Sequence, residues 1–343
     1  MRPRRPKLRD ELITLAHGAG GKATRALVEG LFLEELDNPL LAPLSDSALL
    51  ELNGARLAFT TDSYVVKPIF FPGGDIGELA VNGTVNDLAV AGARPVALSA
   101  GFVIEEGFAV ADLRRIAASM GRAAAAAGVP VATGDTKVVE RGNADGLYVT
   151  TAGIGVVPPE VELGPERVRP GDRVLVSGTI GDHGIAVMVA RGELELEVDL
   201  ESDTASVLAL ALALLELGGA VRWMRDPTRG GLATTLNELA QAADVAVVLD
   251  ETALPLRPAV VGTCEILGID PLYVASEGRL VAVVAAEACD AALAALQSHP
   301  LGAGAAIVGE VRAEPEGLVL LDTSLGGSRI VDMLVGDPLP RIC

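Results

Sequence analysis

Aromatic side chains are scarce in this sequence, at 3% of 343 residues with one Trp, three Tyr and six Phe. A core with so few rings has to be filled by Ala, Val and Leu, and half of the chain is hydrophobic. Cysteine is scarcer still. Cys264, Cys289 and Cys343 are odd in number and far apart, with no C-x-x-C pair. Neither a disulfide framework nor a zinc site is expected, and a reducing, cytoplasmic setting fits. Positive charge is also short: 27 Lys and Arg against 46 Asp and Glu leave a formal net charge of −19, which sets the surface against a nucleic-acid backbone. The longest apolar run, residues 207–215, falls well below the roughly 20 residues that a membrane helix needs. The few basic residues gather at the start (Arg2, Arg4, Arg5, Lys7, Arg9), and Asp10 and Glu11 interrupt before any apolar segment. Residues 1–11 are therefore expected to be a disordered basic arm and not a signal peptide.

A chain of this length is too long for one small core, and two domains are expected. The boundary is read in the Pro-rich, aperiodic stretch between Pro158-Pro159 and Pro170-Gly171. This divides the chain into an N-terminal domain over residues 12–160 and a C-terminal α/β domain over 161–336, with a tail over 337–343. Strands are expected at 48–52, 56–59, 129–132 and 147–157, and helices at 81–90 and 112–127, after a short strand or lead-in at 12–15. The second half repeats the grammar of strand, Asp/Gly turn, helix and strand. The predicted class is mixed α/β (α+β), with a carboxylate-lined cleft between the domains.

Several short stretches carry chemistry. His17-Gly18-Ala19-Gly20-Gly21-Lys22 precedes a helical pattern, which fits an anion-binding turn and equally a plain flexible one. The spacing of a Walker A loop is absent. Aspartates recur beside expected strand ends and helix starts (Asp46, Asp62, Asp135 and Asp226), and Asp87 lies within the helix expected at 81–90. Singly, each fits a turn former or a helix cap. As a set, clustered carboxylates raise one another's pKa unless a cation holds them, and hard oxygen ligands of this kind suit Mg²⁺ beside a phosphate. Asn82 and Asn86 share a helix face. In Arg225-Asp226-Pro227-Thr228-Arg229-Gly230-Gly231, Arg229 is placed to clamp a phosphate, and Asp226 to ligate a metal or cap the helix. Glu277 sits on a tight turn where, taken alone, it reads as a solvated loop acid. The chain stops on Pro338-Leu339-Pro340-Arg341-Ile342-Cys343. Its prolines prevent a helix or central strand, so it reads as a frayed end or as a short arm able to carry a thiol into a cleft.

His17-Gly18-Ala19-Gly20-Gly21, Thr61-Asp62-Ser63, Phe70-Phe71-Pro72-Gly73-Gly74-Asp75, Val81-Asn82-Gly83-Thr84-Val85-Asn86-Asp87-Leu88, Gly134-Asp135-Thr136-Lys137, Asp182-His183-Gly184, the Asp226 turn and Pro340-Arg341-Ile342-Cys343 together resemble the HypE family of [NiFe]-hydrogenase maturation proteins. That family lies in the superfamily of aminoimidazole ribonucleotide synthetase, selenophosphate synthetase and thiamine monophosphate kinase. The likeness runs from about residue 15 to the end. It implies an N-terminal domain whose sheet pairs across a homodimer, a C-terminal α/β domain, and ATP held with Mg²⁺ by aspartates.

The resemblance also implies a reaction: HypF carbamoylates the terminal thiol, and the chain spends ATP to dehydrate that S-carboxamide to a thiocyanate. The cyanide then passes to the HypC–HypD complex for the hydrogenase iron. On this reading Asp46, Asp62, Asp87, Asp135 and Asp226 hold the metal. Gly20, Gly21, Lys22, Asn86, Thr136 and Arg229 contact the nucleotide. Cys343, Glu277 and Lys137 carry the chemistry, the latter two by proton transfer. Ser45 replaces the first of a common Asp-Asp pair, which loosens the match at Asp46. Two rival readings are a sister kinase or synthetase acting on a free metabolite, in which a terminal cysteine has no task, and a carrier without catalysis.

Overall fold

The structure is a computed structural model that describes residues 8, 10–36, 38–192, 196 and 198–334. Cys343, with the whole 337–343 tail, lies outside the described residues, as does most of the 1–11 arm.

The N-terminal half is built on a five-stranded sheet: β1 (Ala48–Leu52), β2 (Ala55–Tyr64), β5 (Arg94–Glu105), β6 (Val131–Val139) and β7 (Leu147–Val157). The order is β1-β2-β7-β5-β6, antiparallel throughout except for the parallel β5–β6 pair. A two-stranded ribbon, β3 (Phe70–Phe71) with β4 (Gly74–Asp75), leads into helix α3 (Ile76–Val90). Asp75 caps that helix, its carboxylate accepting from Gly77 and Glu78 N–H and from the Ser119 hydroxyl. Helix α4 (Val110–Ala127) packs closely on α3 because Gly77 leaves room; a Cβ there would collide with the Ile116 carbonyl. Both helices lie on one face of the sheet. Alternate residues of β2 (Ala58, Thr60, Tyr64) are buried under them, while Phe59 and, on β7, Val156 remain exposed on the other face.

Every α3 residue except Glu78 and Asp87 is buried. A helix covered on all sides is a core element, and α3 is covered because the second half packs on it through α6 (Leu208–Leu215) and β9 (Val221–Arg225). That half holds a seven-stranded mixed sheet. Its other strands are β8 (Arg173–Val176), β10 (Ala246–Asp250), β11 (Val281–Val284), β12 (Ala306–Arg312), β13 (Val319–Asp322) and β14 (Ser328–Ile330). The order is β14-β13-β10-β12-β8-β11-β9. α7 (Gly231–Ala243) covers one face, and α6 with α9 (Cys289–Gln297) the other. α5 (Asp182–Ala190) and α8 (Pro258–Leu267) contribute to the core cluster that includes Ile76, Leu79 and Ile116 of the first half. The cores are aliphatic, as the shortage of rings requires.

Three local expectations change. β2 and β6 run through Asp62 and Asp135 instead of stopping before them, because β7 and β5 pair with them past those positions. Residues 12–15 form no strand; a short 3-10 turn, Leu15–Gly18, stands at their end, followed by α1 (Lys22–Leu27). β5 and α8 have no counterpart in the pattern reading. Pro95, Ser99 and Gly101 break the strand alternation of β5, and its register shifts beside Pro95. Among the described residues no helix is long and apolar enough to cross a membrane.

Candidate active site at the domain junction

Asp46 precedes β1, Asp87 projects from the last turns of α3, and Asp226 follows β9 at the approach to α7. One carboxylate oxygen from each of the three lies within 4.8 Å of the others. Thr60, two residues before Asp62 on the helix-covered face of β2, ties two of these aspartates together. Its hydroxyl is 2.6 Å from Asp87 Oδ2 and 2.8 Å from the Asp46 carbonyl oxygen. Asp62 lies beside the group, its charge acting on both Asp87 and Asp226, and the Tyr64 hydroxyl donates to Asp62 Oδ2 at 3.1 Å. That ring has space only because residue 83 is glycine, whose Cβ would otherwise strike the Tyr64 hydroxyl.

Four carboxylates so close repel one another, and burial adds to the cost of charging them. Asp226 is pushed up to about 8, first by burial and then by Asp46 and Asp62. Burial raises Asp87 well above the usual carboxylate range, with Asp62, Asp226 and Asp46 adding to it. Asp62 is raised by burial, against the opposing pull of Arg229 and the Tyr64 hydrogen bond. Asp46 has a cation of its own, Arg225, whose Nε lies 2.9 Å away and whose Nη1 lies 2.7 Å from Glu238. Hard oxygens in surplus, converging at a junction, form the donor set that a divalent cation with phosphate partners takes.

Glu277 is only 3% exposed and its carboxyl is held well above its ordinary pKa. Burial is the main cause, followed by Asp226, Asp203 and Asp62, with Arg229 opposing. It is therefore no solvated loop acid. Arg229 is exposed, and its charge acts on both Asp62 and Glu277. The glycine turn arrives beside it. Gly20 has φ +82°, and a Cβ there would come within 2.7 Å of the Arg229 carbonyl oxygen. A Cβ on Gly21 would collide with the Leu334 carbonyl, which accepts from Lys22 N–H at 3.0 Å. These two glycines are required by close approach to the start of α7 and to the end of the described chain.

Asp46, Asp62, Asp87, Asp226, Arg229, Glu277, Gly20 and Gly21 thus converge. Lys22 does not point its charge at them but pairs with Asp332 at 2.6 Å, both side chains being half exposed or more. Asn86 has no group left for a cofactor. Its Nδ2 donates to the carbonyls of Ala205 and Glu277, and its Oδ1 accepts from Val207 N–H. Asp135, Thr136 and Lys137 stand exposed on edge strand β6. Asp135 is in register with Gly101, and Gly101 with Thr150, whose hydroxyl meets Ser63 at 3.1 Å on the open face. Within one chain the sheet separates Asp135 and Lys137 from Asp62. The pattern reading also missed Thr60, Tyr64, Arg225 and Asp203. Thr60 and Tyr64 were recoverable from β-alternation around Asp62; Asp203, in a polar stretch without period, gave no signal.

The family described as AIR synthase related protein, N-terminal domain, matches residues 44–157, and AIR synthase related protein, C-terminal domain, matches residues 169–321. A carbamoyl dehydratase HypE of Rhodobacter capsulatus is 58% identical over 339 residues, covering 98% of this chain and 99% of that one. A crystal structure of a HypE–HypF complex superposes with a TM-score of 0.86 at 46% identity, over 90% of this chain and all of that one. A crystal structure of hydrogenase maturation protein HypE in complex with ATP gives 0.81 at 48% identity, over 97% of this chain and all of that one.

Proposed function

The chain belongs to the HypE family of carbamoyl dehydratases within the AIR synthase related proteins, and from that premise we infer how its residues do the work. It is an ATP-dependent enzyme of hydrogenase maturation that dehydrates a carbamoyl group. The observation that carries the residue assignments is the convergence of Asp46, Asp87 and Asp226 with a buried Glu277 at the domain junction. The group dehydrated is the S-carboxamide that HypF installs on Cys343.

Removing water from a carboxamide requires that its oxygen leave, and free oxide is a poor leaving group. Transfer of the ATP γ-phosphoryl group to the carbamoyl oxygen, with release of one of the two amide N–H protons, gives an S-linked imidate phosphate and ADP. Loss of the imidate N–H proton and cleavage of the C–O bond then form the C≡N bond and release phosphate, which carries away the oxygen. Asp46, Asp62, Asp87 and Asp226 would hold Mg²⁺, which supplies neutralisation of phosphate charge when bound. Arg229 faces the transferred group, and the Gly20–Gly21 turn, which reaches Arg229 while its Gly20 N–H is held by the Thr24 hydroxyl, borders the nucleotide. Glu277, whose burial gives it a high proton affinity, takes the imidate proton.

Lys137 needs a second copy. We place its role across a homodimer, since β6 is exposed along nearly all of its length and Phe59, Val156 and Val138 leave apolar surface open on the N-terminal sheet. Asp135, on the same face of β6 as Lys137, would enter the site the same way, whereas Thr136 alternates to the face that carries Asp62 and Tyr64. The working units of this reading are residues 12–160, 161–336 and the delivering tail 337–343, acting in the cytoplasm with HypC–HypD as acceptor.

The test is the intact mass of the chain after incubation with HypF, carbamoyl phosphate and ATP. The expected record is gain of a carbamoyl group, then loss of one water; Glu277→Gln should gain the first and stop there. Nitrile formation at the normal rate in that variant, or in Cys343→Ala, rejects the assignment.

A further inference from the structure

Glu277 lies in a loop, residues 275–279, with no helix or strand hydrogen bonding of its own. Such a segment does not by itself hold a side chain to the fraction of an ångström that proton transfer requires. Both peptide units flanking its Cα are nevertheless pinned. The Glu277 N–H donates to Asp203 Oδ1 at 3.0 Å, and its carbonyl accepts from Asn86 Nδ2 at 3.1 Å. Fixing both planes fixes the Cα–Cβ direction.

The two partners come from different parts of the chain. Asn86 is on α3, one residue before Asp87, is fully buried, and uses its remaining groups on Ala205 and Val207. Asp203 belongs to the polar segment between α5 and α6, and its side chain is 1% exposed with Oδ2 3.5 Å from Arg279 Nε. Gly278 lets that segment cross directly over the loop, since a Cβ there would collide with the Asp203 carbonyl. Arg279 in turn donates to the Thr179 carbonyl at 2.8 Å. Ser276 N–H is taken by the Pro227 carbonyl at 3.0 Å, one residue beyond Asp226.

We propose that Asn86 and Asp203 are positioning residues that clamp Glu277 against the aspartate cluster. The same turn of α3 presents Asp87 to the cluster and Asn86 to the Glu277 peptide, so the spacing between nucleotide site and proton acceptor is set by one rigid element. The clamp rests on the assignment of Glu277 to proton transfer and adds to it the residues that give that carboxylate its geometry.

The test uses the full chain, preloaded with the carbamoyl group by HypF and then given ATP and Mg²⁺ in a single turnover. Asp203→Ala and Asn86→Ser should slow water loss on the order of 10- to 100-fold. Loading by HypF and the half-saturating ATP concentration should stay within about twofold, because neither residue faces the nucleotide. Asp203→Asn keeps an acceptor oxygen beside the Glu277 N–H and should recover at least half of the lost rate on a logarithmic scale. Hydrogen exchange at the Glu277 amide should quicken about fivefold or more in Asp203→Ala, a bond worth about 1 kcal/mol having been removed. Water loss at the parent rate in either variant overturns the clamp, as does slowing that leaves Glu277 exchange unchanged. Should neither variant fold, exchange in the parent chain decides: an amide as slow as those of β11 supports the clamp, and one as fast as an open loop overturns it. Normal dehydration by Glu277→Gln removes the underlying assignment, whereas a blocked Glu277→Gln beside unaffected clamp variants removes the clamp alone.

Discussion

Removing one charge from the aspartate cluster should make the metal-free protein more stable at high pH. Asp226 is buried, with its carboxyl pushed up to about 8 from an ordinary 3.8. The folded state therefore keeps a proton that the unfolded chain gives up as pH rises through about 4. Stability falls as pH climbs from about 4 to about 8 and levels off above that. A displacement of about four pKa units corresponds to at most about 6 kcal/mol, an upper bound because Asp46, Asp62, Asp87 and Asp226 share their protons. For a chain of this length that is roughly 5–10 °C in apparent melting temperature. The assay is a set of thermal melts in chelator between pH 6 and 8.5, on the parent and on Asp226→Asn, each repeated with millimolar Mg²⁺. The parent should lose several degrees across that range without metal and little with it. Asp226→Asn should show at most half of the metal-free decline and gain almost nothing from Mg²⁺. A flat metal-free profile in the parent, or equal slopes in the two proteins, would refute the electrostatic account of the cluster.

Tyr64→Phe removes the hydrogen bond to Asp62 and should weaken Mn²⁺ binding up to about tenfold at a stability cost of about 1 kcal/mol; calorimetric titration and melts measure the two. Gly21→Ala drives a methyl group into the Leu334 carbonyl and should destabilise the chain by about 1–3 kcal/mol while raising the ATP concentration needed for half-maximal turnover. Lys22→Ala breaks only an exposed pair with Asp332, so its effect on stability should stay below about 1 kcal/mol, with ATP half-saturation unchanged. Phe59→Glu places a charge on the open face of the N-terminal sheet and should convert a dimer to monomers in light scattering while abolishing water loss.

The legible parts of this site were the ones whose function leaves a local trace. The run from Asp226 to Gly231 announces a turn into a helix because Pro, Gly and Asp each have a specific backbone use there. The His17–Lys22 turn is visible for the same reason. Asp62 was found, but its setting within a continuing strand was not, since strand length depends on a partner strand far away in the chain. Asn86 shows the opposite failure. An amide on the same helix face as Asn82 looks like a ligand contact until the second domain arrives and consumes its donors. Asp203 and Arg225 act entirely through tertiary neighbours, so no periodicity could have singled them out.

Helix α3 packs mainly on the N-terminal sheet and α4, yet its C-terminal turns are gripped by α6 and β9 of the other half. Cut away from residues beyond 160, it would present Ala89 and Val90 to water and strand the Asn86 amide. Module exchange between relatives would therefore have to treat this rod and everything that grips it as a single heritable block, and a graft made at the apparent linker would inherit a mismatched seam.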